Sequence, residues 1–259
     1  MLEVQNLVSI IMPSYNCGGY VVDTIHSVQA QTYKNWEIIF VDDCSTDDTV
    51  NLVLELQEKD ARICLYQNNK NMGAAVSRNY ALQKAKGRWI AFLDSDDLWE
   101  PTKLEKQVRF MEEHGYAFSY TSYQEIDSKG SLTGVTVSGP TKVTKAGMYA
   151  FCWPGCLTVM YDANVVGLLQ IEDIKKNNDY AMWLKVCKKA DCYLLPDVLA
   201  KYRRGRSGSV STNSISTMIK WHYKLFRDAE KESILSSLGY TAVNLVFGLY
   251  KKIRYVNNK

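Results

Sequence analysis

Two groups of carboxylates stand out by where they fall in the chain. Asp42-Asp43 follows the apolar run Trp36–Val41, and Asp94-Ser95-Asp96-Asp97 follows Trp89–Leu93. Runs of that kind form strands, and open α/β sheets bind ligands at the carboxyl ends of their strands, where strand order reverses. Five carboxylates on neighbouring strand tips repel one another unless a cation or hydrogen-bond donors fill the crevice. All the candidate ligands are oxygens, which suits Mg²⁺ or Mn²⁺ better than zinc. A divalent ion there is placed to neutralise a diphosphate, which is Lewis-acid help for a phosphate leaving group. The competing role for such acids, capping a helix or marking a solvated turn, suits Asp47 and Asp48 at the start of the next helix.

Other residues gather around the same tips. The first strand runs into Pro13-Ser14-Tyr15-Asn16, placing Tyr15 at the crevice mouth, where its ring can stack on a base or simply pack. Asn68–Gly73 has turn chemistry ahead of a helix that carries Arg78. That arginine suits a diphosphate gripped by two N–H groups, and equally a surface ion pair. No G-x-G-x-x-G follows the first strand, which argues against a dinucleotide cofactor.

The elements that must hold these residues follow from hydrophobic period. Val8–Met12, closed by Pro13, is a strand, and Val21, Ile25 and Val28 recur at helical spacing. Trp36–Val41 is the second strand. A helix then follows, capped by Ser45 or Thr46, with Val50, Val53 and Leu54 on one face. Ile63–Tyr66, a helix over Ala74–Ala85 and a strand over Trp89–Leu93 continue the alternation, which predicts a parallel, doubly wound sheet. Lys103–His114 reads as a helix. Shorter strands come next: Phe118–Tyr123, Leu132–Val137 after a turn at Ser128–Gly130, and Leu157–Tyr161. Asp179–Lys189 is predicted helical through Tyr180, Trp183, Leu184 and Cys187, then Tyr193–Tyr202 a strand and Arg203–Ser211 a Gly/Ser/Arg loop. The remainder reads as two amphipathic helices split near Leu238-Gly239.

Composition narrows the class. The 259 residues are 46% apolar and 23% charged, ordinary for a globular domain. The formal charge is +3, but from Lys220 onward eight Lys or Arg stand against three Asp or Glu, a net of +5, leaving about −2 on residues 1–219. The start carries Glu3 and no basic leader, and no stretch reaches the roughly eighteen apolar residues of a membrane span. The seven cysteines are scattered without zinc spacing, which predicts buried free thiols in a reducing cytoplasm. Leu238–Tyr250 is largely apolar and meets Lys251, Lys252 and Arg254. That pattern fits a helix lying on anionic membrane, hence a cytoplasmic protein touching the inner face of the plasma membrane. It equally fits a helix packed back on the domain. No nucleic-acid-binding motif accompanies the basic tail.

The series SIIMPSYN, EIIFVDDCSTDDT and NKNMGAAVSRNYALQKAKGRWIAFLDSDD, in order and register over roughly the first hundred residues, resembles the family 2 glycosyltransferases of the GT-A fold. The resemblance implies a Rossmann-like, mostly parallel sheet flanked by helices, with C-terminal amphipathic helices. It divides the chain into a transferase domain, 1–211, and a helical tail, 212–259. Within the domain, 1–100 binds nucleotide and 101–211 binds acceptor. It also implies a nucleoside-diphosphate sugar donor, UDP-linked by preference, and Mn²⁺ or Mg²⁺. Pro13, Tyr15 and Asp43 hold the nucleoside, Arg78 and Asp94 lie at the donor, Asp96 binds the metal and Asp97 adjoins it. The family's Glu-Asp-Tyr-x-x-Trp-Leu segment matches Asn178–Leu184, which keeps Asp179 as catalytic base but replaces the Glu by Asn178. Tyr202-Arg203 with the Ser207–Ser211 loop resembles the family's segment near the donor phosphates.

Members of this type invert the anomeric centre. Inversion requires a base on the face opposite the diphosphate, and Asp179 lies far along the chain from Asp96 at a helix start, where it would otherwise serve as a cap. By analogy the acceptor is a saccharide or lipid-linked saccharide in bacterial surface-polysaccharide synthesis. A non-catalytic nucleotide-sugar-binding subunit shares most of these features. An aspartyl phosphatase wants Asp-x-Asp-x-Thr after its first strand, and a nucleotidyltransferase a Gly-rich basic loop there, and neither is present.

Overall fold

The structure, a computed structural model, describes residues 6–205 and 214–258. Strands and helices alternate through β1 (Val8–Ser14), α1 (Val21–Gln29), β2 (Trp36–Asp42), α2 (Thr49–Lys59), β3 (Ile63–Gln67), α3 (Ala74–Lys84) and β4 (Trp89–Phe92). These strands pair in parallel in the order β3-β2-β1-β4, so strand order reverses between β1 and β4. Every residue of β1, β2 and β4 is buried, because helices cover both faces of a parallel sheet. Alternate side chains therefore enter separate cores. Ile11, Ile39, Val41 and Phe92 pack with Leu82, Trp183 and Leu184 on one face. Ile10, Met12, Ile38 and Phe40 pack with Val21, Ile25, Val53 and Leu104 on the other.

Beyond β4 come β5 (Leu98–Trp99), α4 (Lys103–His114), β6 (Phe118–Ile126), β7 (Leu132–Val137), β8 (Lys142–Val143) and α5 (Lys145–Ala150). Then follow β9 (Met160–Asp162), α6 (Ala163–Val166), α7 (Asn178–Cys187), β10 (Cys192–Arg203), α8 (Ile215–Lys224), α9 (Ile234–Arg254) and β11 (Val256–Asn258). Here the sheet is mixed. β9 runs antiparallel to β4 and β6, β7 and β11 extend it antiparallel, and β10 lies parallel to β6. The result is a mostly parallel central sheet continued by an antiparallel half, flanked by helices.

Local differences from the sequence reading have physical causes. Pro13 does not close β1, since β4 pairs only with Val8–Ile11 and the missing N–H of Pro13 falls beyond that ladder. On α2 the buried residues are Thr49, Val53 and Leu56, while Leu54 points to solvent; the helix starts at Thr49, too late for Ser45 or Thr46 to cap it. Leu157–Tyr161 is not one strand: Cys156–Thr158 forms a tight helical turn before β9. The C-terminal helices part at Lys231–Ser233, not at Gly239. Lys231 turns left-handed at φ 60° and Ser233 caps Ser236, while Gly239 is exposed inside α9. All seven cysteines are free thiols.

Candidate active site

The acidic loop after β4 lies beside the point where strand order reverses. Leu93 N–H bonds Ile11 O, and Asp97 N–H bonds Asp94 O at 3.1 Å, turning the chain so that Asp94 and Asp97 line one cavity. The end of β10 locks this turn from behind. Arg203 donates its backbone N–H to one carboxylate oxygen of Asp97 (2.8 Å) and its Nε–H to the Asp96 carbonyl (2.7 Å). Its Nη1 reaches the carbonyls of Asp127 and Ser128. The guanidinium is thus committed to backbone oxygens, and Ser207–Ser211, expected beside it, lies outside the described residues. The second carboxylate oxygen of Asp97 is buried without a partner. Burial, and then the charges of Asp96 and Asp94, push the Asp97 carboxyl well above its usual range.

Arg78, on α3, joins this loop to the start of α7 (Asn178–Cys187). Its Nη2 bonds Asp94 at 2.5 Å and its Nη1 bonds the side-chain oxygen of Asn178 at 2.7 Å. Buried to 7% exposure, it is neither a surface ion pair nor a free phosphate grip. Asn178 opens α7 after Asn177, which takes the left-handed φ of 59°. Asp179 therefore sits in the first turn of α7 and not at the cap position. Its carboxylate accepts from the Tyr180 N–H (2.8 Å), and the side chain lines the same cavity as Asp94 and Asp97. Burial raises its pKa, the nearby Arg78 charge opposes that rise, and Asp94 adds to it.

The cavity has a volume of about 330 Å³. Its wall also includes Tyr202, from the expected Tyr202-Arg203 segment, and Lys251, together with Tyr123, Cys156 and Arg204, which the sequence did not mark as site residues. Arg204 is held by Glu125 at 2.7 Å. Lys251 arrives from α9 and donates to the Trp153 carbonyl at 2.8 Å. Only its position after an apolar helical run hinted at Lys251, and nothing local pointed to Tyr123 or Arg204.

Pro13, Tyr15 and Asp43 are absent from that lining. Pro13 is built into β1 opposite Val41, and Tyr15 stands 46% exposed beyond its tip. Asp43 is buried and accepts from Asn68 Nδ2 and Met72 N (both 2.8 Å) and Gly73 N (2.7 Å). Gly73 can turn its N–H to that carboxylate because it adopts φ +87°, which costs glycine nothing. The tip of β2 thereby fixes the loop that launches α3 and Arg78. Asp47 accepts from Thr49 and Gly18, a structural role.

Among the described residues no three or more His, Cys, Asp or Glu side chains converge as a ready metal cage. The acidic loop still suits a hard cation, with three carboxylates in four residues and one buried oxygen of Asp97 unpartnered. Mg²⁺-type sites commonly use one or two carboxylates and complete their shell with substrate phosphates.

Residues 9–146 match the family model described as Glycosyl transferase family 2. A curated Escherichia coli relative, UDP-Glc:alpha-D-GlcNAc-diphosphoundecaprenol beta-1,3-glucosyltransferase WfaP, is 39% identical over 246 residues, 95% of this chain and 92% of its own. Among solved structures, S. aureus TarS 1-349 in complex with UDP-GlcNAc superposes with a TM-score of 0.70 at 20% identity, covering 96% of this chain and 73% of that one. The mannosyltransferase PcManGT from Pyrobaculum calidifontis, in complex with GDP-Man and Mn2+, gives 0.65 at 17% identity over 95% and 76%. At these identities the structural likeness speaks for the fold.

Proposed function

The chain belongs to glycosyl transferase family 2 and is a glycosyltransferase, and from that premise we propose that it is an inverting enzyme. It moves a sugar from a UDP-sugar to a hydroxyl of a saccharide carried on a lipid diphosphate, in bacterial surface-polysaccharide synthesis. The donor and acceptor classes are those in the name of WfaP, whose length the chain nearly spans.

The observation that carries the mechanism is one cavity lined by Asp94, Asp97 and desolvated Asp179, with Arg78 bridging Asp94 to the residue before Asp179. Asp179 takes the proton of the acceptor hydroxyl. The freed oxygen lone pair bonds to the anomeric carbon from the face opposite the diphosphate. The anomeric C–O bond breaks with its electron pair passing to the nucleoside diphosphate, and configuration inverts. Partial burial holds the Asp179 pKa up, which makes it a stronger base than an exposed carboxylate.

Residues 1–100 form the donor half. Pro13 and Tyr15 meet the nucleoside, and Asp43 shapes its pocket through the Asn68–Gly73 loop. Arg78 holds Asp94 aimed at the donor sugar, and Arg203 holds the acidic loop in place. Asp96, with Asp97 adjoining, would hold Mn²⁺ or Mg²⁺, which when bound supplies charge neutralisation at the diphosphate. Residues 101–211 form the acceptor half, and 212–259 a tail at the cytoplasmic face of the membrane. Among the described residues no helix is long and apolar enough to cross a membrane.

A panel of UDP-, GDP- and dTDP-sugars with and without Mn²⁺, read by melting temperature, tests the donor. NMR of the product's anomeric centre tests inversion. Stabilisation only by GDP-sugars removes the UDP assignment, a retained anomer removes the single displacement, and binding without turnover on any acceptor would mark a non-catalytic subunit.

A further inference from the structure

α9 packs on the domain through a mixed face, where the rings of Tyr240 and Phe247 meet Tyr149, Phe226 and Trp153, and it leaves its aliphatic stripe outside. Its buried residues are Ser237, Thr241 and Asn244. Asn244 donates to the Tyr149 carbonyl, Lys251 to that of Trp153, and Gly248 lets the Phe151 ring approach to 3.3 Å of where a Cβ would stand. Polar groups thus fasten the inner face to backbone oxygens of residues 149–153. The opposite face carries Leu235, Leu238, Ala242, Val246, Leu249 and Ile253, all exposed. Leu235 is 82% and Ile253 84% open. Their spacing of three and four residues keeps them in one stripe along the helix, which at 21 residues is about 30 Å long. The neighbouring α8 exposes a shorter stripe of the same kind, Ile215, Met218 and Ile219. An apolar surface of this extent on a water-facing helix needs a cover.

We propose that the outer face of α9, with α8 beside it, is a docking surface for an anionic lipid bilayer. On this surface the helix lies flat in the headgroup region and holds the catalytic cavity at the membrane surface. The occupant follows from charge. Lys220, Arg227, Lys231, Lys252 and Arg254 are exposed around the two helices, against Asp228 as the exposed acid, and residues 220–259 carry a net +5. Two copies joined through this face would bring like charges together, whereas an anionic leaflet meets apolar and basic groups at once. The same helix reaches the cavity with Lys251, on its inner side. Docking α9 therefore sets the distance between the leaflet and Asp179. This deepens the proposal of a lipid-linked acceptor and rests on it for its purpose, but not for its test.

The test is co-sedimentation of the full chain with vesicles of phosphatidylcholine, alone or mixed with phosphatidylglycerol. The wild-type chain should bind the mixed vesicles and bind pure phosphatidylcholine less. The double variant Val246→Glu with Ile253→Glu changes two exposed side chains, so melting temperature and donor affinity in vesicle-free buffer should stay as in wild type. Its vesicle partitioning should fall by roughly a hundredfold or more, from two lost apolar insertions. Lys252→Gln with Arg254→Gln should weaken binding to the mixed vesicles by roughly fivefold per charge. Equal partitioning of wild type and the glutamate variant would overturn the proposal. So would a wild-type dimer in sedimentation velocity that the glutamates dissociate, with no vesicle binding. Transfer to a soluble acceptor, measured without vesicles, reports on the catalytic proposal separately.

Discussion

Replacing Asp179 by Asn separates the proposed base from every structural duty its side chain performs. The accepting oxygen that meets the Tyr180 N–H at 2.8 Å survives in the amide. Arg78 keeps both its partners, Asp94 and Asn178, because neither bond runs through Asp179. What disappears is a negative charge that burial disfavours. In the folded chain the Asp179 carboxyl binds its proton more tightly than the ordinary carboxyl at 3.8. Stability therefore falls as pH rises from the ordinary value through the raised one, and the cost persists above it. The asparagine variant should accordingly melt no lower than wild type at neutral pH, and somewhat higher. Its donor affinity should be unchanged.

Single-turnover transfer should drop by about a hundred- to ten-thousand-fold, the usual contribution of a positioned base, or ~3–5 kcal/mol of barrier. In the wild type kcat/KM should decline as pH falls through the raised Asp179 pKa, and the variant should lose that limb. The assay pairs rapid-quench transfer with calorimetric donor titration and melting curves from pH 5 to 8. Turnover within a few-fold of wild type, or a lower melting temperature with weakened donor binding, would refute the reasoning. The second result would mean that the carboxylate is structural.

Asp96→Asn should remove the Mn²⁺-dependent part of donor binding with the fold intact, and unchanged Mn²⁺ dependence in calorimetry would exclude Asp96 as a ligand. Tyr15→Ala should weaken the free nucleoside diphosphate and the nucleotide sugar alike, by about 1–3 kcal/mol for a lost stacking partner; a loss confined to the sugar-bearing ligand would move Tyr15 off the nucleoside. Lys103 is fully buried, with its ammonium 3.7 Å from the Trp99 ring and no hydrogen-bond partner, and burial pushes its pKa well below 10.5. The unfolded chain holds that proton more tightly, so the cost is present below pH 10.5 and fades as pH rises towards it. Lys103→Met should therefore raise stability by about 1 kcal/mol or more at pH 7, with the gain shrinking in melts towards pH 10; a destabilised variant would show that the ammonium is solvated or paired.

The parallel half of the sheet was legible in the sequence because its information is local. Val8–Met12, Trp36–Val41 and Trp89–Leu93 are β-branched or aromatic runs separated by helical periods, and acids that follow such runs fall on strand tips whatever the helices do. The Asn at 178 could likewise be read as a departure from the family pattern. Its use could not, because Arg78 lies a hundred positions away along the chain and only the packing of α3 against α7 brings the two together. Arg203 shows the same limit. Sequence placed it near the phosphates, whereas the pairing of β10 with β5 and β6 turns its guanidinium onto the carbonyls behind the acidic loop. For α9 the hydrophobic period was visible, but a period says only that a helix has two unlike faces. The backbone carbonyls of Tyr149, at the end of α5, and of Trp153, in the loop after it, together with the rings of those two residues, decided which face turns inward. The face that turned in mixes polar residues with Tyr240 and Phe247, leaving the aliphatic stripe outside and Lys251 in the cavity wall.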